Sequence, residues 1–203
     1  MALLPQHHSA FENLVGKKLS ETHLALIEDA ADGESGAKKW VEEMRHILID
    51  SGIKVHPLKL KEYIDHTPEL IEELRRYDVV YFGGGNTYYL RWLMNKVGLD
   101  ERFKTLLERG IVYAGASAGA LVAGPTLKYL NESGADSSEV VNEVVEEGLG
   151  FVDKVVIPHW GREDFAEAVS RLEDMLLADG IKTEHITDEQ AIIVNGDTWD
   201  VIP

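Results

Sequence analysis

Short apolar runs alternate with longer amphipathic stretches along most of this chain, and no other feature restricts its fold as much. Strands separated by helices build crossover units, and a series of them gives an α/β fold with a parallel sheet. The run "HLALIEDAA" (23–31) reads as a strand and then a loop. In 35–52, Trp40, Val41, Met44, Ile47 and Leu48 recur at helical spacing, and Gly52 marks the stop. "IKVHPLKL" is a second strand. "TPELIEELRRY" reads as a helix with Thr67 as N-cap and Pro68 at the first helical position. "DVVYFGGG" is an apolar strand ending in three glycines, followed by the helices "NTYYLRWLMNKVG" and "DERFKTLLERG". "IVYAGA" is a strand, and "SAGALVAG" opens a helix directly after it.

Beyond residue 150, "FVDKVVIPHW" is a strand ending at His159, and "EDFAEAVSRLEDMLLADG" is a helix closed by Gly180. The tail "KTEHITDEQAIIVNGDTWDVIP" reads as short strands with a turn at Asn195-Gly196. The acidic segment 128–150 fits no regular pattern. At the N-terminus only "ALL" precedes Pro5, so either the first strand is very short or the fold begins late. No linker, repeat or low-complexity segment interrupts the pattern. The 203 residues fit one domain, 1–203, better than two small ones.

Composition removes several functions. With no cysteine, the chain has no disulfide, no thiolate metal site and no cysteine nucleophile. A net charge of −16 argues against nucleic acid and anionic membranes as partners, because both need a basic footprint. No apolar run is long enough to cross a membrane, and the N-terminus lacks the basic start of a signal peptide. The expected compartment is the cytoplasm. No histidine or carboxylate spacing matches a metal site.

Four motifs carry chemistry. In "YAGASAGALVAG", Ser117 lies two residues from Gly115 and from Gly119, between a strand and a helix. This is the nucleophile-elbow pattern, in which small flanking residues let the chain turn sharply and expose the serine hydroxyl. The same residues would also suit plain close packing of a helix on a sheet. The Ala118 amide at the helix start could serve a developing oxyanion. Gly83-Gly84-Gly85 has neither the lysine of a P-loop nor the spacing of a dinucleotide site, so a second oxyanion donor at Gly84 or Gly85 fits better. Asn86 reads as the N-cap of the next helix.

Of the eight histidines, only His159 ends a buried-looking strand, where open α/β sheets place their sites. It could act as general base to Ser117, or be a structural histidine beside Pro158. The other seven, His7 among them, read as surface or helix residues. Asp188 and Glu189, just before an apolar strand, could each orient the imidazole, and the residues alone do not separate them. Arg162 could pair with a substrate carboxylate, but among Glu163 and Asp164 it reads better as a surface arginine. The order serine, histidine, acid differs from the serine, acid, histidine of the α/β-hydrolases.

Taken together, "FGGGNTYYL", "RGIVYAGASAGALVAGPT", "VVIPHW" and "ITDEQAIIVNGD" resemble the dipeptidase E and cyanophycinase family of serine peptidases. That family lies in the class I glutamine amidotransferase-like superfamily. The resemblance covers roughly residues 40–200. It implies a three-layer α/β sandwich with a mainly parallel, flavodoxin-like sheet flanked by helices. It implies Ser117 as nucleophile, His159 as general base, and an oxyanion hole from Gly84 or Gly85 with Ala118. Aligning "AIIV" with the family places the third member at Asp188, with Glu189 as the alternative. The expected function is cofactor-free cleavage of small peptides, dipeptidase-like, with N-terminal aspartate as one specificity, through an acyl-enzyme. An esterase or small-amide hydrolase of the same fold, or a binding protein that has lost catalysis, are the alternatives. Superfamily relatives often dimerise, so a homodimer is an expected assembly.

Overall fold

A computed structural model describes residues 3–32, 34 and 36–203. Four parallel strands form the central sheet, in the order β2 (Lys54–Leu58), β1 (His23–Ile27), β3 (Val79–Phe82) and β4 (Val112–Gly115). The first two units therefore run from the middle of the sheet outward, and the third lands on the other side of β1. That reversal is the flavodoxin-like switch, and it opens a crevice at the carboxyl ends of β1 and β3.

Side-chain alternation along β1 and β3 divides the core into two layers. Leu24, Leu26, Val79 and Tyr81 pack with Met44 and Leu48 of α2 (Ala37–Asp50). Partly buried Phe11 and Val15 of α1 (His8–Val15) lie against the same layer. Ala25, Ile27, Val80 and Phe82 face the other way. They pack against α3 (Thr67–Leu74), α4 (Thr87–Lys96) and α5 (Leu99–Leu107). A strand covered on both faces must be apolar throughout, as "VVYF" of β3 is.

α6 (Ala118–Val122) follows β4 after two residues. β5 (Val155–Ile157) and β6 (Thr183–His185) form a parallel pair joined by α8 (Ala166–Ala178). β7 (Ala191–Asn195) and β8 (Thr198–Ile202) form an antiparallel hairpin. Asn195 pairs with Thr198, so the two turn residues are Gly196 and Asp197, one position beyond the expected Asn195-Gly196. Gly196 takes the positive φ of 58°.

Of the two readings of the N-terminus, the structure fits a fold that begins late: the first described elements are a 3-10 turn at Pro5–His7 and α1, and no strand precedes β1 among the described residues. Two other expectations are corrected. Thr67 is the first helical residue of α3 and makes no capping bond; Pro68 follows it, where its missing N–H is still harmless. His7 is not on the surface. It is 3% exposed, and its Nε2 lies 3.0 Å from the carbonyl of Glu189 and 3.1 Å from that of Pro203. Both neighbours are acceptors, so this nitrogen carries the proton and ties the N-terminus to the terminal hairpin.

The segment 128–150 holds one short helix, α7 (Leu130–Ser133), a 3-10 turn, and an isolated β-bridge from Glu147 to Thr126. It is fixed by polar contacts that sequence periodicity does not register. Arg91, 4% exposed, donates to the Glu147 carbonyl at 2.5 Å and makes a bidentate pair with Asp100 at 2.7 and 2.9 Å. Asp136 accepts from the Thr87 amide at 2.6 Å and from Asn86 Nδ2 at 2.7 Å. Asn86 caps α4 as expected, its side-chain oxygen accepting from the Tyr89 amide at 2.8 Å.

Candidate active site

The elbow is a place where only small residues fit. A Cβ on Gly119 would lie 2.2 Å from the Phe82 carbonyl oxygen, and one on Gly115 would lie 2.4 Å from the Gly119 carbonyl oxygen. The close packing therefore exists, and it serves a turn that holds Ser117 at φ 53°, ψ −112°. Few non-glycine residues adopt positive φ, and such strain collects at functional sites. The turn sets Ser117 just past the carboxyl end of β4.

Gly85 has φ 131°, and a Cβ there would fall 2.1 Å from the Ala30 carbonyl oxygen. Gly84 faces the serine: its Cβ would be 3.1 Å from Ser117 Cβ. The amides of Gly84, Gly85 and Ala118 donate to no described residue.

His159 arrives from the end of β5 after Pro158, with φ 64°. Its Nε2 lies 2.9 Å from Ser117 Oγ, and its Nδ1 lies 2.8 Å from Asp188 Oδ1. The acid is delivered by the β5–β6 pairing. Trp160 N–H donates to the Ile186 carbonyl and Ile186 N–H to the Ile157 carbonyl, each at 3.0 Å. These bonds hold the two strand ends together, and a turn closed by Gln190 Oε1 accepting from the Thr187 amide then presents Asp188. Glu189 points elsewhere: it is exposed and its carboxylate has no part in the relay. Phe165 stacks on the imidazole with ring centroids 4.7 Å apart.

Electrostatics follow this packing. Burial pushes the His159 imidazole below its ordinary value, against the upward pull of the Asp188 hydrogen bond. Burial alone would raise the Asp188 carboxyl, but the His159 hydrogen bond and charge, helped by Arg162, hold it below the carboxylate range. The resting pair is thus a neutral imidazole next to a carboxylate, the state in which Nε2 can accept a proton from a hydroxyl.

Arg162 is exposed and paired with Asp164, as expected of a surface arginine, and it also borders the site. Its Nη1 donates to Asp188 Oδ2 at 3.2 Å, its Nε and Nη2 grip Asp164 at 2.9 and 2.5 Å, and its guanidinium sits 4.9 Å from the Phe165 ring centre. The position three residues beyond the histidine was the available sequence signal. The surrounding cleft has a volume of about 590 Å³, and Ser117, His159, Gly84 and Gly85 line it with Trp40, Asp136 and Phe165. Sequence reasoning gave no role to these last three. No group of three or more histidine, aspartate or glutamate side chains suited to a metal occurs among the described residues. No helix among them is long and apolar enough to cross a membrane.

An α/β sheet of this order, with a serine at its carboxyl edge in hydrogen-bonded series with a histidine and a carboxylate from the β5–β6 pair, has the design of a serine hydrolase. The chain belongs to peptidase family S51, whose model matches residues 3–202, and it is a serine-type peptidase. It is 26% identical over 162 residues to an uncharacterized peptidase of Pasteurella multocida, covering 79% of this chain and 76% of that one. A Drosophila melanogaster protein, provisionally named an alpha-aspartyl dipeptidase, is 26% identical over 166 residues, covering 78% of this chain and 65% of that one. A Listeria monocytogenes crystal structure with a provisional Peptidase E assignment superposes with a TM-score of 0.81 over 96% of this chain and 91% of its own. At 24% identity, that likeness speaks to the fold.

Proposed function

We propose that this peptidase cleaves small peptides, dipeptides among them, through an acyl-enzyme on Ser117. The observation that carries the reading is the unbroken series Asp188–His159–Ser117, with contacts of 2.8 and 2.9 Å. Ser117 Oγ attacks the scissile carbonyl as His159 Nε2 takes its proton. Asp188 keeps the proton on Nδ1 and stabilises the imidazolium that forms. The amides of Gly84 or Gly85 and of Ala118, which have no described partner, receive the oxyanion. His159 then protonates the leaving amine, and C–N cleavage leaves an ester on Ser117. Water attacks that ester with His159 again as base, releasing the acid and restoring the serine.

The cleft lies within the roughly 300–1,000 Å³ of small-ligand pockets, which supports short substrates over folded proteins. The name of the Drosophila relative brings peptides with N-terminal aspartate forward as one class to try.

The test combines a fluorophosphonate probe with a dipeptide panel. Labelling and dipeptide hydrolysis, both lost in Ser117→Ala, are expected. Labelling with turnover of aryl esters and no dipeptides would make the chain an esterase of this fold. No labelling would leave a binding protein on the scaffold.

A further inference from the structure

The cleft beside Ser117 has a wall of carbon and a surplus of negative charge. Trp40, Met44 and Ile47, four and then three residues apart on α2, line it. That spacing puts all three on one helix face. Trp40 and Ile47 remain 37% and 39% exposed. The indole borders Gly84, the glycine that faces Ser117. A Cβ on Gly84 would lie 3.8 Å from Trp40 and 3.1 Å from Ser117 Cβ, so ring and serine flank the same glycine. Leu130, Val169 and Leu172 line the cleft as well.

The charges are one-sided. Glu34, Glu43, Asp136 and Asp164 line the cleft, and Arg162 is the one Lys or Arg among its described lining residues. That guanidinium already faces two carboxylates, Asp164 and Asp188. A substrate carboxylate would be the third anion on a single cation, and it would compete with the orientation of Asp188.

We infer that the enzyme selects peptides with a bulky apolar side chain next to the scissile bond and rejects acidic ones there, with Trp40 and Ile47 forming the apolar subsite. This rests on the hydrolase reading of Ser117 given above. The apolar face is continuous with the nucleophile, which is why a substrate side chain is its occupant. The carboxylates set the sign of the discrimination, because like charges brought together in one cleft act against binding.

The experiment measures kcat/KM for matched Phe, Leu, Ala and Asp p-nitroanilides and the corresponding dipeptides. It uses the wild-type chain, Trp40→Ala and Ile47→Ala, each preparation titrated with a fluorophosphonate to count competent Ser117. Phe and Leu substrates are expected to exceed Asp by at least about tenfold, and the Phe-to-Ala ratio to fall by at least about fivefold in Trp40→Ala. Asp substrates turning over as well as Leu would overturn the inference and leave the hydrolase reading intact. A Trp40→Ala variant that loses the same factor on every substrate would also overturn it, pointing to structure or subunit contact instead of a subsite. Absence of Ser117 labelling in the wild-type chain would overturn both readings.

Discussion

Ser117 and His159 meet at 2.9 Å, and both hold the chain at positive φ, 53° and 64°. Two non-glycine residues in that region, in hydrogen-bond contact, place backbone strain on either side of one reacting pair. Such strain costs on the order of 1–3 kcal/mol per residue. Glycine at 117 relieves it, against a loss of about 0.4–1 kcal/mol from greater freedom in the unfolded chain. Ser117→Gly is therefore expected to be at least as stable as Ser117→Ala in thermal unfolding, with both inactive. A Ser117→Gly variant melting well below Ser117→Ala would show the turn to be unstrained.

The acid can be separated from its neighbour by paired substitutions. Asp188 takes His159 Nδ1, whereas Glu189 lies outside the relay. Asp188→Asn should lower kcat by roughly 10³–10⁴-fold, because the amide favours the wrong tautomer. Glu189→Gln should stay near wild type. Equal losses in the two variants would remove Asp188 from its role.

The pH dependence follows from the direction of the His159 shift. Its ordinary value is 6.5, and burial holds the folded-state value below that. The base must be neutral, so kcat/KM is expected to be level above 6.5 and to fall at lower pH, with a midpoint under 6.5. Stability shares the sign. Between the two values the unfolded chain binds the proton and the folded chain does not, so stability is lost as pH falls from 6.5 toward the folded value. Asp188→Asn removes the main influence raising the imidazole, so its acid limb should lie lower still. An acid limb in wild type above 6.5 would contradict the burial argument.

What the sequence shows of this site depends on how each contact is made. Ser117 and His159 were legible because each sits at the end of an apolar strand, where local pattern and site coincide; Asp188 was set apart from Glu189 only by the family resemblance, and Gly84 stood level with Gly85. The contact of Arg162 with Asp188 was not legible, since its polar neighbours Glu163 and Asp164 describe a solvated turn and only the fold brings Asp188 to its Nη1. His7 was misread for a similar reason: its partners are the carbonyls of residues 189 and 203, which no periodicity joins to residue 7. Segment 128–150 stayed unassigned because its regular elements are too short for periodicity to show and Arg91, Asn86 and Thr87 hold it through polar contacts. The short strands β5 and β6, three residues each, were legible mainly through their apolar neighbours.

Arg162 orients Asp188 and also opposes charge on the imidazole. Replacing it with glutamine should lower kcat by about tenfold and move the acid limb of the profile upward, because a positive charge near His159 is lost. Arg162→Lys should keep the limb near its wild-type position while recovering only part of kcat, as an ammonium cannot hold two carboxylates in a planar fork. A lower rate with an unmoved acid limb in Arg162→Gln would reduce the residue to a packing role.

Two glycines separate catalysis from folding. Gly119 has its missing Cβ 2.2 Å from the Phe82 carbonyl, a backbone atom of a central strand that cannot move aside. Alanine there should cost at least 1–3 kcal/mol, roughly the range for overpacking, and show as lost stability before any question of rate arises. Gly84 differs, because its Cβ would meet Ser117 Cβ at 3.1 Å and the Trp40 ring at 3.8 Å. The neighbour that must yield, by a few tenths of an ångström, is the nucleophile itself. Gly84→Ala should therefore fold with a Tm close to wild type, while kcat falls by about 10²-fold from a misplaced hydroxyl. Thermal unfolding and active-site titration on the two variants check this directly. Loss of stability in Gly84→Ala comparable to that in Gly119→Ala would mean that the glycine-rich strand end serves packing alone.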